Sequence, residues 1–484
     1  MKTKNLLLLL ALMPIVWAKP ANAQLMLTLE RTLEIAYESS PNMISQKISL
    51  ENQLENVNLT KAQLKSRFSL SIEPLTYNKG RGFQQLAGGY IDSESLSSFG
   101  SFNVSQPITA TDGTVTLSNR FGFERNLTRE NNFVNSFSNN LQLSISQPLL
   151  KKYNANKMGL KQAELDLENT QLQYSITKLS LEYNVSQSFY SLYSAEQSLI
   201  TAKEELENQQ KSYEIIKNKV EAGLSAEEEL WQAELNLQNA RSSVNDSEVS
   251  LENSKDQLKQ TIGLDLDEDI AIVTNIDVKT IDIELEDAIE YGLQKRMELR
   301  QNEITLEESR MNLLSVKDND KISGSLEFSV GLQGINEEIN LLYDTPTDNE
   351  TVGLSLNLPI WDWGARKSRI KIAENNLKSS EINYEEEKKS IEIEIRQSFR
   401  SLKNLVFQIE IAEKSLENAQ KTYDLNLLKY ENGDLTSMDL KQYSDQLTQQ
   451  KHSLTTARIN YKLGLLQLKN QTLWDFENNK PVLD

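Results

Sequence analysis

The chain has 484 residues, a net charge of −19, one histidine and no cysteine. That charge disfavours nucleic acid and anionic lipid surfaces as partners, and the missing cysteine excludes disulfides, thiolate metal sites and a lipidated cysteine within this sequence. A hydrophobic share of 38% with few glycines and prolines suggests long helices with narrow apolar stripes.

The first 23 residues have the plan of a secretory signal peptide. Lys2 and Lys4 form the positive end, Leu6 to Trp17 the apolar run, and Ala21-Asn22-Ala23 the small-residue cleavage site. Without Lys2, Lys4 and Lys19 the mature chain carries about −22. No later apolar stretch approaches the ~18 residues of a spanning helix. A mature chain of this kind stays in the periplasm, leaves the cell, or crosses a membrane as a β-barrel.

A first structural repeat is expected over 24–263. It opens with a helix and continues with strands at about 67–149. Apolar and polar residues alternate in Phe68 to Ile72 and in Leu141-Gln142-Leu143-Ser144-Ile145-Ser146. Between them, Ser101 to Ile108, a turn at Ala110-Thr111-Asp112-Gly113, and Val115 to Phe123 predict a further hairpin. A long helix over 155–222 and a second helix over 225–262 follow. Leu160 to Ala222 contains no glycine or proline, and Leu165, Leu172, Ile176 and Leu179 mark a coiled-coil seam. Gly223 is placed to end the long helix, and Ser225 to cap the next.

The segment 264–284 reads as a linker or equatorial segment between the halves, and Asp265, Asp267, Glu268 and Asp269 within it as solvated acids without calcium-loop spacing. A second repeat is expected over 285–473. Its strands fall at about 323–360, with Val352 to Ile360 alternating strictly. A long helix over 365–431 and a helix over 436–470 follow, and 474–484 is a tail. Thr436 is the expected cap of the last helix. At ~1.5 Å per residue each long helix would span ~95 to 100 Å.

The halves match. Gln187-Ser188-Phe189-Tyr190-Ser191-Leu192 aligns with Gln397-Ser398-Phe399-Arg400-Ser401-Leu402 at an offset of 210, and Lys219 and Gly223 align with Lys429 and Gly433. Leu29-Glu30 aligns with Leu285-Glu286 at 256, so the first half carries about 45 extra residues, roughly Asn78 to Asn140. The period-two segments are compatible with a soluble sheet and are required of a barrel with a watery lumen.

Catalytic chemistry finds no support in the sequence. His452 stands mid-helix among Gln449, Gln450 and Lys451 and reads as a solvated residue. No phosphate loop, metal-spaced cluster or nucleophile motif is present, and no cofactor is expected.

Two halves of strands set into a helical coiled coil, with Leu358-Pro359-Ile360-Trp361-Asp362-Trp363-Gly364-Ala365-Arg366 at the strand-to-helix junction, resemble the TolC-type outer-membrane efflux protein family. Gln147-Pro148-Leu149-Leu150 is the first-half counterpart of that junction. The resemblance covers nearly the whole mature chain. It implies a mainly α fold with a membrane β-barrel, in which long antiparallel helices form a periplasmic α-barrel. It also implies a homotrimer in the outer membrane with four strands per protomer, in contact with outer-membrane lipid. The expected partners are a periplasmic adaptor (membrane fusion protein) and an inner-membrane pump of RND, ABC or MFS type. The extra hairpin departs from that pattern. It is either an extension outside the membrane or part of a wider barrel.

The resemblance also places site residues. The hairpin tips, where an adaptor would dock, fall on Gly223, Leu224 and Ser225 and on Gly433, Asp434, Leu435, Thr436 and Ser437. The first carboxylate of the periplasmic gate falls on Asp439. The second falls on Gln442, which is no acid. A linking tyrosine falls on Tyr430, its basic partner on Leu435, which is not basic, and the first-half acid on Glu229. Trp361 and Trp363 would sit at the membrane interface or pack between barrel and helices. A passive export duct is the function implied. A periplasmic or surface coiled-coil scaffold is the alternative, and the two differ in whether Leu354, Leu356 and Leu358 face lipid or protein.

Overall fold

A computed structural model describes residues 24–85, 88–127, 133–274, 276, 278–319 and 321–482. The expected signal peptide lies outside them. The described chain divides into two compact units. One comprises the part up to Ser45, Ile176–Lys295 and the part from Glu392 on; the other comprises Gln46–Ser175 and Arg296–Ile391.

In chain order the elements are β1 (Leu25–Leu27), α1 (Leu29–Ser39), α2 (Pro41–Gln63), β2 (Arg67–Gln84), β3 (Gly89–Ile108), β4 (Gly113–Leu127), β5 (Phe133–Leu149), α3 (Ala155–Glu221), α4 (Glu227–Ile262) and β6 (Ile270–Ile272). Then come α5 (Leu285–Lys295), α6 (Met297–Asn319), β7 (Ser323–Asn336), β8 (Thr347–Asn357), α7 (Ala365–Asn432), α8 (Ser437–Thr472), β9 (Trp474–Asp475) and β10 (Lys480–Pro481). The fold is mainly helical with one large sheet. With no glycine or proline to break them, save Gly159 near the start of α3, α3 and α7 run for 67 and 68 residues. Among the described residues no helix is long and apolar enough to cross a membrane.

The unit containing the chain ends is built on packed helices. Phe189, Ile395, Tyr461 and Leu468 are fully buried there. The segment 264–284 contributes β6, which pairs in parallel with β1. In the tail, Trp474 stacks on Tyr291 with ring centroids 4.4 Å apart.

The other unit holds a six-stranded antiparallel sheet in the order β2-β3-β4-β5-β7-β8. Four strands come from the first half and two from the second, where the family pattern implies four in all. The expected hairpin is β3 and β4, paired from Ser95↔Asn126 to Ile108↔Gly113. Helices of the same unit pack through Leu165, Ile304 and Met311, and Arg300 grips Glu168 with two hydrogen bonds of 2.6 and 3.0 Å.

Candidate functional site

Two regions carry the candidate residues, one in each unit. The first is the paired turns α3–α4 and α7–α8. Gly223 and Gly433 adopt positive φ of 71° and 92°, a conformation that a Cβ penalises. Each thereby ends its long helix: Leu224 N–H returns to Lys219 O and Asp434 N–H to Lys429 O. Thr436 caps α8, its side chain accepting from Asp439 N–H. The first turn differs from expectation. The cap position falls one residue beyond Ser225, on Ala226, with no side-chain cap, so the three acids Glu227, Glu228 and Glu229 in the first turn of α4 complement the helix dipole instead.

The two turns are tied together. Ser212 on α3 donates to the Tyr430 hydroxyl on α7 at 2.6 Å, and that hydroxyl donates to the Ser212 carbonyl at 3.1 Å. Burial pushes the Tyr430 hydroxyl above its ordinary pKa, with the Ser212 bond pulling the other way. Lys219 Nζ donates to the Tyr430 carbonyl at 2.9 Å and lies 5.5 Å from the ring centre. Glu229 on α4 accepts from the Ser437 N–H at the start of α8, 3.2 Å away. Beneath these links Ile216, Ala233, Tyr423, Tyr430, Leu440 and Leu447 form one apolar core, and Leu435 packs against it. That apolar contact accounts for a leucine at the position where the resemblance places a base.

Asp439 is exposed, and one of its carboxylate oxygens accepts from the Thr436 hydroxyl at 2.7 Å. Gln442 and Asp434 are also exposed. Leu224 is 79% exposed, and Trp231 on α4 and Met438 on α8 are exposed within the first two turns of their helices. Neither Ser212 nor Lys219 was among the candidates. For Lys219 a signal existed, because the repeat aligns it with Lys429; for Ser212 there was none. His452, expected in solvent, is half-buried, with Nδ1 3.5 Å from Ser198 Oγ, and burial lowers its pKa.

The second region is the sheet and its junction with the helices. Leu354 and Leu356 on β8 are 63% and 54% exposed, and Phe68, Leu70 and Ile72 on β2 are as open. These large apolar side chains of the sheet therefore lie on its outside, unlike the buried Leu165, Ile304 and Met311 of the helices in the same unit. Below β8 the chain turns into α7 through Trp361 and Trp363, an edge-to-face pair with centroids 5.6 Å apart. Both are largely exposed, and they border an open cleft with Leu150, Lys321, Arg366 and Lys371. Asp362 between them accepts from Gly364 N–H at 3.0 Å and Arg366 N–H at 2.6 Å, and these amides hold its carboxyl below the usual range.

Among the described residues no group of histidines and acids is placed to hold a metal. What the arrangement offers is an exposed apolar sheet face, long helices, and two hairpin tips joined by polar links.

A family model described as outer membrane efflux protein matches residues 114–264 and 293–472, more than half of the chain. The chain is 28% identical over 127 residues to the outer membrane protein TolC of Escherichia coli (strain K12), covering 26% of each chain. Toxin and drug export protein A of Aggregatibacter actinomycetemcomitans is 24% identical over 299 residues, 60% of this chain and 61% of that one. These sequence matches thus span about a quarter and three-fifths of the relatives' lengths. The fold is shared more completely. The CmeC outer membrane channel of Campylobacter jejuni superposes with a TM-score of 0.70 at 16% identity, over 95% of this chain and 90% of that one.

Proposed function

The chain belongs to the outer membrane efflux protein family, and from that premise we propose that it is a passive export duct of the outer membrane. In this reading three copies close a barrel through their open sheet edges. The helices continue the lumen into the periplasm. A periplasmic adaptor docks on the turns at Gly223–Ser225 and Gly433–Ser437 and couples the duct to an inner-membrane pump of RND, ABC or MFS type. The pump supplies the energy, and the duct itself needs no cofactor.

The observation that carries the reading is the exposed apolar face of the sheet. Leaving Leu354, Leu356, Phe68, Leu70 and Ile72 in water costs on the order of 25 cal/mol for each Å² that hydrocarbon would otherwise cover. In a bilayer the same face is at home, and the opposite polar face lines water. The strands are long enough, since a tilted membrane strand needs about 9 to 11 residues, and β8, the shortest in the sheet, has 11.

At the tips, the bonds Ser212–Tyr430, Lys219–Tyr430 and Glu229–Ser437 hold the two hairpins of one protomer together. We assign them to the closed state of the periplasmic mouth. Asp439, repeated around a threefold axis, sets a ring of negative charge there that favours cations. Trp361 and Trp363 belong to the aromatic girdle at the periplasmic membrane interface.

Fractionation of cells producing the full chain tests the reading. It requires the protein in outer-membrane fractions, extracted only by detergent, as an oligomer band that heating converts to monomer. A protein released as a monomer without detergent contradicts it.

A further inference from the structure

The β3–β4 hairpin is built into the wall of the sheet. β4 pairs onward to β5 from Thr114↔Ser146 to Leu127↔Phe133, and the register carries both faces across it. One row reads Phe68, Val104, Leu117, Leu143 and Val330 over β2, β3, β4, β5 and β7. The adjacent row, on the opposite face, reads Ser69, Asn103, Ser118, Gln142 and Gly331. Side chains alternate between faces along a strand, so β3 and β4 share the apolar and the polar surface of their neighbours. Phe102 and Leu117 are exposed on the apolar side, like Leu143.

The turn between β3 and β4 is anchored where β5 hands over to α3. Asp112 accepts from Ala155 N–H at 2.5 Å and Asn156 N–H at 3.0 Å, at the first turn of α3. Asn154 Nδ2 donates to the Thr109 and Ala110 carbonyls at 2.9 and 3.1 Å. Gln147 at the end of β5 bonds Thr111 twice, at 2.7 and 2.9 Å. A Cβ on Gly113 would come within 2.5 Å of Gln147 Oε1 and 3.1 Å of the Ser146 carbonyl, so no other residue fits without displacing this anchor.

The ends of β3 and β5 are also the same piece of chain twice over. Ser105-Gln106-Pro107-Ile108 repeats as Ser146-Gln147-Pro148-Leu149. In each, the glutamine Nε2 donates to the carbonyl of the following proline, at 2.8 and 3.0 Å. One strand end leads into α3 and the other into a turn and the next strand. The sheet thus comprises three hairpins, β2–β3, β4–β5 and β7–β8, of which the first two share this ending.

We propose that all six strands cross the outer membrane, β3 and β4 included, so that three protomers close a barrel of eighteen strands. The inference rests on the trimeric duct reading. Barrel diameter grows roughly linearly with strand number, so this barrel is about half again as wide as one with four strands per protomer. At that size a barrel holds an open aqueous channel, and cargo size is limited by the helical mouth instead of the membrane pore.

Spin labelling tests this, because a chain without cysteine makes every introduced one unique. Phe102→Cys and Leu117→Cys probe the apolar face of the hairpin, Asn103→Cys and Ser118→Cys its polar face, and Leu143→Cys and Leu354→Cys serve as references. Each labelled full-length protein is reconstituted in vesicles of phosphatidylethanolamine and phosphatidylglycerol. Collision with lipid-soluble oxygen is then compared with collision with a water-soluble nickel chelate. The proposal requires positions 102 and 117 to favour oxygen severalfold, like 143 and 354, while 103 and 118 favour nickel. Nickel preference at 102 and 117, with oxygen preference at 143 and 354, places the hairpin outside the bilayer and overturns the proposal while the duct stands. Nickel preference at 143 and 354 as well overturns both. Two positions per face keep the result decisive if one substitution blocks assembly.

Discussion

The hydroxyl of Tyr430 is buried against Ser212, 218 residues earlier in the chain, at 2.6 Å. The pair joins the two longest helices, with Tyr430 in the last turn of α7 and Ser212 about three turns before Gly223 in α3. Its removal should loosen the closed tip without unfolding the protein. A neutral hydrogen bond of this kind contributes about 1 kcal/mol net. Tyr430→Phe and Ser212→Ala should each lower the thermal midpoint slightly, and a double-mutant cycle should show a coupling of about 1 kcal/mol. Cells carrying Tyr430→Phe should admit more of a large polar antibiotic. Additive stability effects and unchanged entry would remove this pair from the gate.

Asp439 both holds the capping Thr436 hydroxyl and carries charge, so the substitution must separate the two. Asp439→Asn keeps an acceptor for the Thr436 hydroxyl and removes the carboxylate. Reversal-potential measurements on single channels should show weaker cation selectivity than wild type, with the folding stability within about 0.5 kcal/mol of it. Unchanged selectivity would take Asp439 out of the constriction.

Asp112 stands at φ 58°, which asparagine tolerates and alanine does not. Its two bonds to the first amides of α3 have the value of a helix cap, about 1 kcal/mol. Asp112→Asn should cost less than that. Asp112→Ala should cost about 2 kcal/mol, from the cap and the strained backbone together. The temperature at which the oligomer band dissociates should follow the order wild type, Asn, Ala. Equal temperatures would mean that the turn is not held by this residue.

His452 gives a pH signature. Burial holds its pKa below the ordinary value, so the folded state prefers the neutral ring. Its contribution to stability is complete above the unfolded value of about 6.5. It is lost as pH falls from there through the lower folded value. His452→Gln should therefore lose less stability than wild type on going from neutral pH into the range below 6.5. Parallel stability curves would contradict the burial.

Much of the fold is legible in the residues. α3 and α7 are visible because glycine and proline are absent from Leu160 to Ala222 and from Ala365 to Asn432, until Gly223 and Gly433 stop them. Strands are visible because Leu354, Leu356 and their like recur at period two. The hairpin of β3 and β4 was legible as a hairpin, but not its place in the sheet. That place depends on Asp112 meeting Ala155 and Gln147 meeting Thr111, contacts between residues some forty positions apart. The tip links were less legible still. Ser212 and Tyr430 meet only because two helices from different halves pack side by side, and neither helix alone carries a trace of that register. The cap of α4 failed locally: Ser225 has the right chemistry one position too early, and three consecutive glutamates leave the first turn stabilised without it.

An export duct requires water to fill a path through an oligomer whose outer strand residues meet lipid. Purified full-length protein added to a planar bilayer tests this directly. Discrete, long-lived, cation-preferring conductance steps should appear only with the oligomeric fraction and increase when Tyr430→Phe loosens the tip. Oligomeric protein that inserts without any conductance, in the wild type and in the loosened variant alike, would contradict it.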